Sequence, residues 1–103
     1  MYKLFLDDER QPPDDGSSWI IVRSYEEAIK FIDEHGSPGY ISFDNDLGPN
    51  QKEGIDLAKW LIEKDLDNNC RFLLVDFDFY VHSQNPVAAR LIEDKFRTYL
   101  KRR

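Results

Sequence analysis

The sequence predicts a three-layer α/β fold with a mostly parallel four-stranded sheet. Four short apolar runs are separated by one long loop and two amphipathic helices, and a third helix follows the last run. Crossover connections of this kind favour parallel strands. The chain has 103 residues, which predicts one domain over residues 1–103 because two separate cores need a longer chain.

The first half of the chain is predicted to contain two strands and a helix. Tyr2 to Leu6 is an apolar run with one lysine, and it predicts a strand that ends abruptly at charge. Glu9 to Ser18 contains two prolines and a glycine, which predict a loop. Trp19 to Val22 predicts the second strand. Ser24 fits the N-cap of a helix that Gly36 is placed to terminate.

The second half predicts two more strands and two more helices. Tyr40 to Phe43 is the third predicted strand, and a helix follows near Glu53 to Leu66. Polar and apolar residues alternate towards the end of Phe72 to Val81, which is typical of an edge strand, but the pattern leaves its start open. Asn85 and Pro86 fit the N-cap and first position of a final amphipathic helix.

Composition excludes several classes of function. The formal net charge of −6 disfavours bulk DNA binding, so any contact with nucleic acid must be local or metal-mediated. No apolar run approaches the roughly 18 residues of a membrane span, and the early acidic residues do not fit a signal peptide. Cys70 is the one cysteine, which predicts a reducing compartment such as the cytoplasm.

Acidic residues follow the first and third predicted strands. Asp7 and Asp8 come directly after the first, and Asp44 after the third. The carboxyl ends of parallel strands share one sheet edge, where open α/β folds bind ligands. Crowded carboxylates share protons or hold a hard cation, so these three predict a site for Mg²⁺ or Mn²⁺. The alternative is solvated loop acids, and Asp46 fits either a turn or a supporting role.

A histidine and a serine end the last apolar run. His82 is a candidate general acid or base, although a lone histidine is more often structural. Ser83 is a candidate phosphate contact. It could be a nucleophile only if a base activates it, and the sequence cannot establish a Ser-His-acid geometry because adjacent strand residues point to opposite faces. Asn85 is a candidate phosphate ligand besides being an N-cap. The amide groups at the start of that helix also favour anions.

This arrangement resembles a response-regulator receiver domain, a flavodoxin-like fold, in reduced form. The resemblance implies that Asp7 and Asp8 hold Mg²⁺, that Asp44 is the acceptor aspartate and that the Ser83 hydroxyl contacts the phosphoryl group. The sequence departs from receivers in two respects. A proline-rich loop replaces the first helix, and the fifth strand with its lysine has no counterpart.

Three segments resemble the cyclic-phosphate processing receiver family more closely. They are Leu6-Asp7-Asp8-Glu9-Arg10-Gln11-Pro12-Pro13, Asp44-Asn45-Asp46-Leu47-Gly48 and His82-Ser83-Gln84-Asn85-Pro86. This resemblance implies action on cyclic phosphate ends, such as those on cleaved RNA. It also favours a phosphate contact for Arg10, which could instead neutralise the acidic pair.

Three hypotheses for the function therefore remain. The first is a metal-dependent phosphoesterase that processes or binds cyclic or terminal phosphates of nucleotides or RNA ends, in which Asp44, His82 and Ser83 act at the phosphate. The alternative is a non-catalytic receiver-like module that accepts a phosphoryl group on Asp44 or binds a protein partner. The missing lysine disfavours the phosphoacceptor. A compact interaction protein of bacterial or phage origin is a third hypothesis.

Overall fold

The computed structural model describes residues 1–103 as four strands and three helices. The elements are β1 (Lys3–Leu6), β2 (Trp19–Val22), α1 (Tyr25–His35), β3 (Tyr40–Phe43), α2 (Gly54–Asp67), β4 (Asp78–Val81) and α3 (Pro86–Arg102). The sheet has the order β2-β1-β3-β4, and every neighbouring pair is parallel. The predicted order of elements and the reduced receiver-like α/β fold are confirmed.

One face of the sheet carries the hydrophobic core. Alternate residues of each strand point to this face and meet side chains from all three helices. The strands contribute Leu4, Leu6, Val22, Ile41, Phe43, Phe79 and Val81, and the helices contribute Ala28, Ile32, Leu57, Ala58, Leu61, Ile62, Ile92 and Phe96. All are buried in one contiguous cluster, so the helices form a single layer over this face.

The opposite face of the sheet is partly open. Its residues include Phe5, Trp19, Tyr40 and Tyr80, and they line a cavity bordered by the loop between β1 and β2. A doubly wound fold covers both faces with helices. The predicted third layer is therefore replaced by this proline-rich loop, because the β1–β2 connection is the crossover that lacks a helix.

β4 is shorter than the apolar stretch that predicts it. Ahead of it, the Phe77 N–H donates to the Leu74 carbonyl in a turn (3.1 Å). The Phe72 and Leu73 amides donate to the Asp65 carboxylate instead of to a strand. The alternation that predicts an edge strand holds within β4, which lies at the end of the sheet.

The helix starts follow their predicted caps. Ser24 Oγ accepts from the Glu27 N–H, and Asn85 Oδ1 accepts from the Val87 and Ala88 N–H groups. α1 ends at Gly36, whose φ of 84° lies in the left-handed region that favours glycine. None of the three helices combines the length and apolar character required to span a membrane.

A buried network joins the ends of α2 and α3. Asp65 Oδ2 accepts from the Tyr99 hydroxyl (2.6 Å) and from Arg103 Nη1 (3.1 Å). Arg103 also donates to the carbonyls of Leu73 and Leu74. One fully buried carboxylate thus joins α2, the loop before β4 and the end of α3.

Candidate functional site

Asp7 is held rigidly at the carboxyl end of β1. Its Oδ1 accepts from the Glu9 and Arg10 backbone N–H groups (2.9 and 2.8 Å), and the side chain is fully buried. Burial raises the pKa of Asp7, but these two backbone hydrogen bonds, with His82 and the Arg10 charge, outweigh it and lower the pKa below its usual value. Asp7 is therefore ionised at neutral pH.

A chain of hydrogen bonds runs from Asp7 through His82 to Ser42. His82 Nε2 lies 3.0 Å from Asp7 Oδ2, and Nδ1 lies 2.7 Å from Ser42 Oγ. An ionised carboxylate only accepts, so Nε2 carries a hydrogen, and in the neutral ring Nδ1 accepts from the Ser42 hydroxyl. The imidazole also stacks on Phe5, with ring centroids 4.7 Å apart and planes at 4°. His82 thus has a fixed orientation and tautomer.

Two arginines organise the acidic turn after β1. Arg10 Nε lies 3.3 Å from Asp7 Oδ2, and Arg10 Nη2 lies 3.9 Å from Asp44 Oδ2. Arg23, which follows β2, donates from Nη1 to the carbonyls of Asp7 and Arg10. Arg10 therefore pairs with Asp7 and approaches Asp44, whereas the neutralisation predicted for it concerned Asp7 and Asp8. Arg23 fixes the backbone that carries Arg10.

Asp44 is less well compensated than Asp7, although it is almost as buried. Its Oδ1 accepts from the Asn45 N–H (2.8 Å), and Oδ2 has only the distant Arg10 guanidinium. Burial and, after it, the charge of Asp7 raise the pKa of Asp44, against the opposing effects of His82 and Arg10. A buried carboxylate with a spare oxygen and a raised pKa is typical of a reactive or ligand-binding group.

The start of α2 packs directly against the backbone of Asp44. Gly54 is buried, and a Cβ at this position would lie 2.2 Å from the Asp44 carbonyl oxygen. The Gly54 N–H donates to the Asn45 carbonyl (2.9 Å). The Asn45 side chain accepts from the Ile55 N–H and donates to Glu53. Glycine at this position allows the close approach that fixes the loop after β3.

A polar cleft lies beside Asp44 at the carboxyl edge of the sheet. It has a volume of about 700 Å³, and none of its lining residues is hydrophobic. The lining residues are Asp8, Glu9, Arg10, Asp44, Asp46, Gly48, Pro49, Ser83, Gln84 and Asn85. The cleft therefore joins all three sequence segments that the resemblance singled out. A polar, charged ligand suits these walls better than an apolar one.

The segment after β4 lines the cleft together with the acids. Ser83 Oγ accepts from the Asn85 N–H (3.1 Å), so the hydroxyl hydrogen is available to a ligand. The backbone N–H groups of Ser83 and Gln84 donate to no group of the chain. The first amides of α3 are different, since Val87 and Ala88 donate to the Asn85 side chain. The free anion donors thus precede α3 instead of belonging to it.

The predicted site residues fall into two adjoining groups. The candidate ligand atoms of Asp7, Asp44 and His82 lie within 4.8 Å of one another. Asp8 is exposed and lies in the polar cleft with Asp44 and Arg10, outside that compact group. Ser83 and Asn85 line the same cleft. Sequence reasoning missed Ser42, Arg23 and Asn45, whose contacts join parts of the chain that no local pattern connects.

The acids are suited to a hard cation, which prefers oxygen ligands. Asp44 Oδ2 and the exposed Asp8 carboxylate have the most free ligand capacity. Asp46 borders the same cleft, although its Oδ1 accepts from the Gly48 N–H in a turn (3.1 Å). Both Asp7 oxygens already accept hydrogen bonds. A divalent ion therefore fits best on the cleft side of Asp44, between the strand ends.

Comparison with known families agrees with this geometry. A family model described as cyclic-phosphate processing receiver domain matches residues 2–98. The match covers nearly the whole chain and includes all three motif segments, so the resemblance inferred from those segments is confirmed. No curated protein and no solved structure matches the chain.

Proposed function

The chain belongs to the cyclic-phosphate processing receiver domain family, and from this premise we propose that it is a metal-dependent phosphoesterase acting on cyclic or terminal phosphates. The substrates would be nucleotides or RNA ends. The observation that carries the proposal is the environment of Asp44. This buried carboxylate has a spare oxygen, a pKa raised by burial and by Asp7, and a position in the wall of a cleft lined mainly by charged and polar residues.

We assign the divalent ion, Mg²⁺ or Mn²⁺, to Asp8 and Asp44, with Asp7 behind them. When bound, such an ion polarises a phosphoryl oxygen or generates a nucleophilic water. Arg10 balances the charge of Asp7 and Asp44 from the protein side, at 3.3 and 3.9 Å. This leaves the cleft side of Asp44 and the exposed Asp8 for the ion.

The phosphate group is assigned to the part of the cleft that the segment after β4 lines. The Ser83 hydroxyl and the undonated N–H groups of Ser83 and Gln84 provide hydrogen bonds to its oxygens. Arg10 reaches the cleft with a side chain that is 39% exposed, so it can also meet a phosphate oxygen. Asn85 borders the same part of the cleft, and its side-chain nitrogen is the atom available to the ligand.

His82 is assigned the proton transfer. Asp7 and Ser42 fix both ring nitrogens, so the imidazole is oriented before substrate binds. Exchange of one of these hydrogen bonds for substrate gives a general acid or base. Asp7 would then stabilise the charged ring, as an orienting carboxylate does in other acid–base sites.

The test separates metal binding, phosphate binding and turnover. The wild type, Asp44→Asn and Asp76→Asn are compared, since Asp76 is an exposed acid before β4, outside the polar cleft. Melting temperature is measured against Mg²⁺, Mn²⁺ and inorganic phosphate, and turnover is measured with 2′,3′-cyclic nucleotides. We expect metal-dependent stabilisation and product in the wild type and Asp76→Asn, and loss of both in Asp44→Asn. Intact cyclic phosphates after long incubation across nucleotides and RNA ends would contradict the enzyme.

The spare oxygen of Asp44 also favours a second candidate function, a phosphoacceptor module. In that case Asp44 takes up label from acetyl phosphate or phosphoramidate, and Asp44→Asn does not. The missing lysine counterpart weighs against this function. Stable labelling of Asp44 with no turnover of cyclic phosphates would favour it over the phosphoesterase.

A further inference from the structure

A second cavity lies on the open face of the sheet and is lined by aromatic residues. It has a volume of about 410 Å³, within the usual range for small-molecule sites. Its aromatic lining residues are Phe5, Trp19, Tyr40, Tyr80 and His82, and Lys3 also lines it. We call this the aromatic cavity. A helix would cover these side chains in a complete three-layer fold, and here only the loop after β1 borders them.

The aromatic rings of this cavity form an ordered surface with a cation beside it. Trp19 makes edge-to-face contacts with Phe5 and Tyr40, at centroid distances of 5.8 and 6.0 Å. Lys3 Nζ lies 4.6 Å from the Trp19 centroid and 5.3 Å from the Tyr40 centroid. Tyr80 is 59% exposed on the edge strand. Such a surface suits a flat, polar ring, because aromatic faces and a lysine attract π-systems with hydrogen-bonding edges.

The aromatic cavity adjoins the polar cleft. Arg10 lines both, so its side chain forms part of the boundary between them. His82 lines the aromatic cavity, and its candidate ligand atom lies within 4.8 Å of those of Asp7 and Asp44. A ligand with its phosphate in the cleft can therefore extend past Arg10 and His82 towards Trp19 and Tyr80.

From this continuity we propose that the aromatic cavity binds the base of a nucleoside phosphate whose phosphate group lies in the polar cleft. The inference rests on the proposed function, because it takes the cleft to be the phosphate site. The substrate is then a nucleoside cyclic phosphate, free or at the end of an RNA strand. A cyclic phosphate on a sugar or polyol without a base would leave the aromatic cavity empty. Gln11 and Asp15, which also line it, offer polar groups to the edge of a base.

The first experiment uses Trp19 as a reporter. The chain has two tryptophans, so Trp60→Phe leaves Trp19 as the one indole fluorophore. This variant is titrated with a nucleoside 2′,3′-cyclic phosphate, a ribose cyclic phosphate without a base, and inorganic phosphate. We expect the nucleotide to change Trp19 fluorescence and to bind about tenfold or more tightly than the base-free analogue, as a stacked base implies. Inorganic phosphate should leave the fluorescence unchanged.

The second experiment tests the surface itself with a matched pair of exposed residues. Tyr80→Ala removes an exposed ring of the aromatic cavity, and Leu91→Ala removes an exposed apolar side chain of α3 as the control. Calorimetric titration should show a loss of nucleotide affinity of about fivefold or more for Tyr80→Ala and none for Leu91→Ala. The affinity for the base-free analogue should stay the same in both variants.

The outcomes distinguish the two proposals. Equal affinity with and without the base, together with an unchanged Trp19 signal, overturns the base site and leaves the phosphate site standing. Failure of every phosphate ligand to bind overturns both. The last ligand measured is a short RNA with a terminal cyclic phosphate. Tighter binding of this RNA than of the mononucleotide assigns the base to an RNA end, and tighter binding of the mononucleotide assigns it to a free nucleotide.

Discussion

Asp7 and Asp44 are neighbouring carboxylates at one sheet edge, and they differ in their hydrogen bonds and in the direction of their pKa shifts. Asp7 accepts two backbone N–H groups and pairs with His82, so its charge stabilises the fold. Asp44 accepts one N–H and has a pKa raised by burial and by Asp7. Asp7 is therefore a structural hydrogen-bond acceptor. Asp44 keeps its charge at a cost to stability, which a ligand in the cleft can offset.

Neutralising each carboxylate should change stability in opposite directions. In EDTA at pH 7, Asp44→Asn should raise the free energy of unfolding by about 1 kcal/mol, because it removes a buried charge that Arg10 and the Asn45 N–H compensate only in part. Asp7→Asn should lower it by about 1–3 kcal/mol, because it leaves donors unsatisfied. Urea denaturation followed by circular dichroism measures both. Equal destabilisation by the two substitutions would mean that Asp44 is also a structural acceptor.

His82 and His35, the two histidines, provide a matched comparison for catalysis. His82→Ala should lower kcat for a 2′,3′-cyclic nucleotide by roughly 10²-fold, the scale of general acid–base catalysis, with little change in KM. His35→Ala, at the exposed end of α1, should leave both constants unchanged. Steady-state kinetics with Mg²⁺ measure kcat and KM for the wild type and both variants. A change in KM alone would assign His82 to substrate binding.

Sequence reasoning placed Asp7, Asp44, His82 and Ser83 at one edge of the sheet because each follows a strand, and the strands of a parallel sheet end at the same edge. It did not find Ser42, which lies within β3 and contacts a residue 40 positions away. Strand alternation places Ser42 on the face opposite the core, but it gives no partner. Partners across strands depend on register and side-chain orientation, which an isolated sequence does not fix.

At the scale of elements, the start of α2 controls the position of the loop that carries Asp44. The Asn45 side chain accepts from the Ile55 N–H in the first turn of this helix, and Gly54 allows the helix backbone to approach the Asp44 carbonyl. The caps at Ser24 and Asn85 were predictable, since each cap side chain accepts a hydrogen bond from a backbone N–H two or three residues later in the chain. The contact of Asn45 with the first turn of α2 was not, because its donor and acceptor are ten residues apart. α2 also has a local cap, since the Glu53 N–H donates to Asp56 Oδ2 (2.8 Å).

Gly54→Ala tests this close approach. The added Cβ would lie 2.2 Å from a backbone oxygen, so either α2 or the Asp44 loop must move. We expect a loss of about 1–3 kcal/mol in unfolding free energy, the usual range for overpacking, and a weaker Mg²⁺-dependent rise in Tm. Lys59→Ala, at an exposed position of the same helix, is the control and should change neither quantity. Unchanged stability in Gly54→Ala would mean that the loop adapts freely.

At the scale of the whole molecule, the candidate site and the buried Asp65 network lie in different parts of the fold. The carboxyl edge holds the acids, the cleft and the adjoining aromatic cavity. Where α2 and α3 end, Asp65 and Arg103 join α2 to the last residue of the chain across 38 positions. Helix carboxyl ends favour basic residues whether these are exposed or buried, so the sequence does not distinguish the two cases. Burial of the pair comes from the packing of α3 against α2, so it could not be read from either helix alone.

The Asp65 network predicts how global stability depends on pH. Burial raises the pKa of Asp65, but the Tyr99 hydroxyl, the Leu73 N–H and Arg103 outweigh it and lower the pKa below 3.8. A carboxyl group whose pKa is lower in the folded than in the unfolded state stabilises the fold at pH values above its pKa in the unfolded state. That contribution disappears as the pH falls through the folded value.

Asp65→Asn should therefore cost about 3 kcal/mol at pH 7, because it leaves Arg103 without its buried partner. The difference from the wild type should shrink progressively as the pH falls below 3.8, the ordinary value for the group. Urea denaturation from pH 7 to pH 2.5 in EDTA measures it, with Asp67→Asn as the exposed control in the same helix. A difference that stays constant over this range would assign the loss to packing, because only a loss due to the charge of Asp65 depends on its protonation.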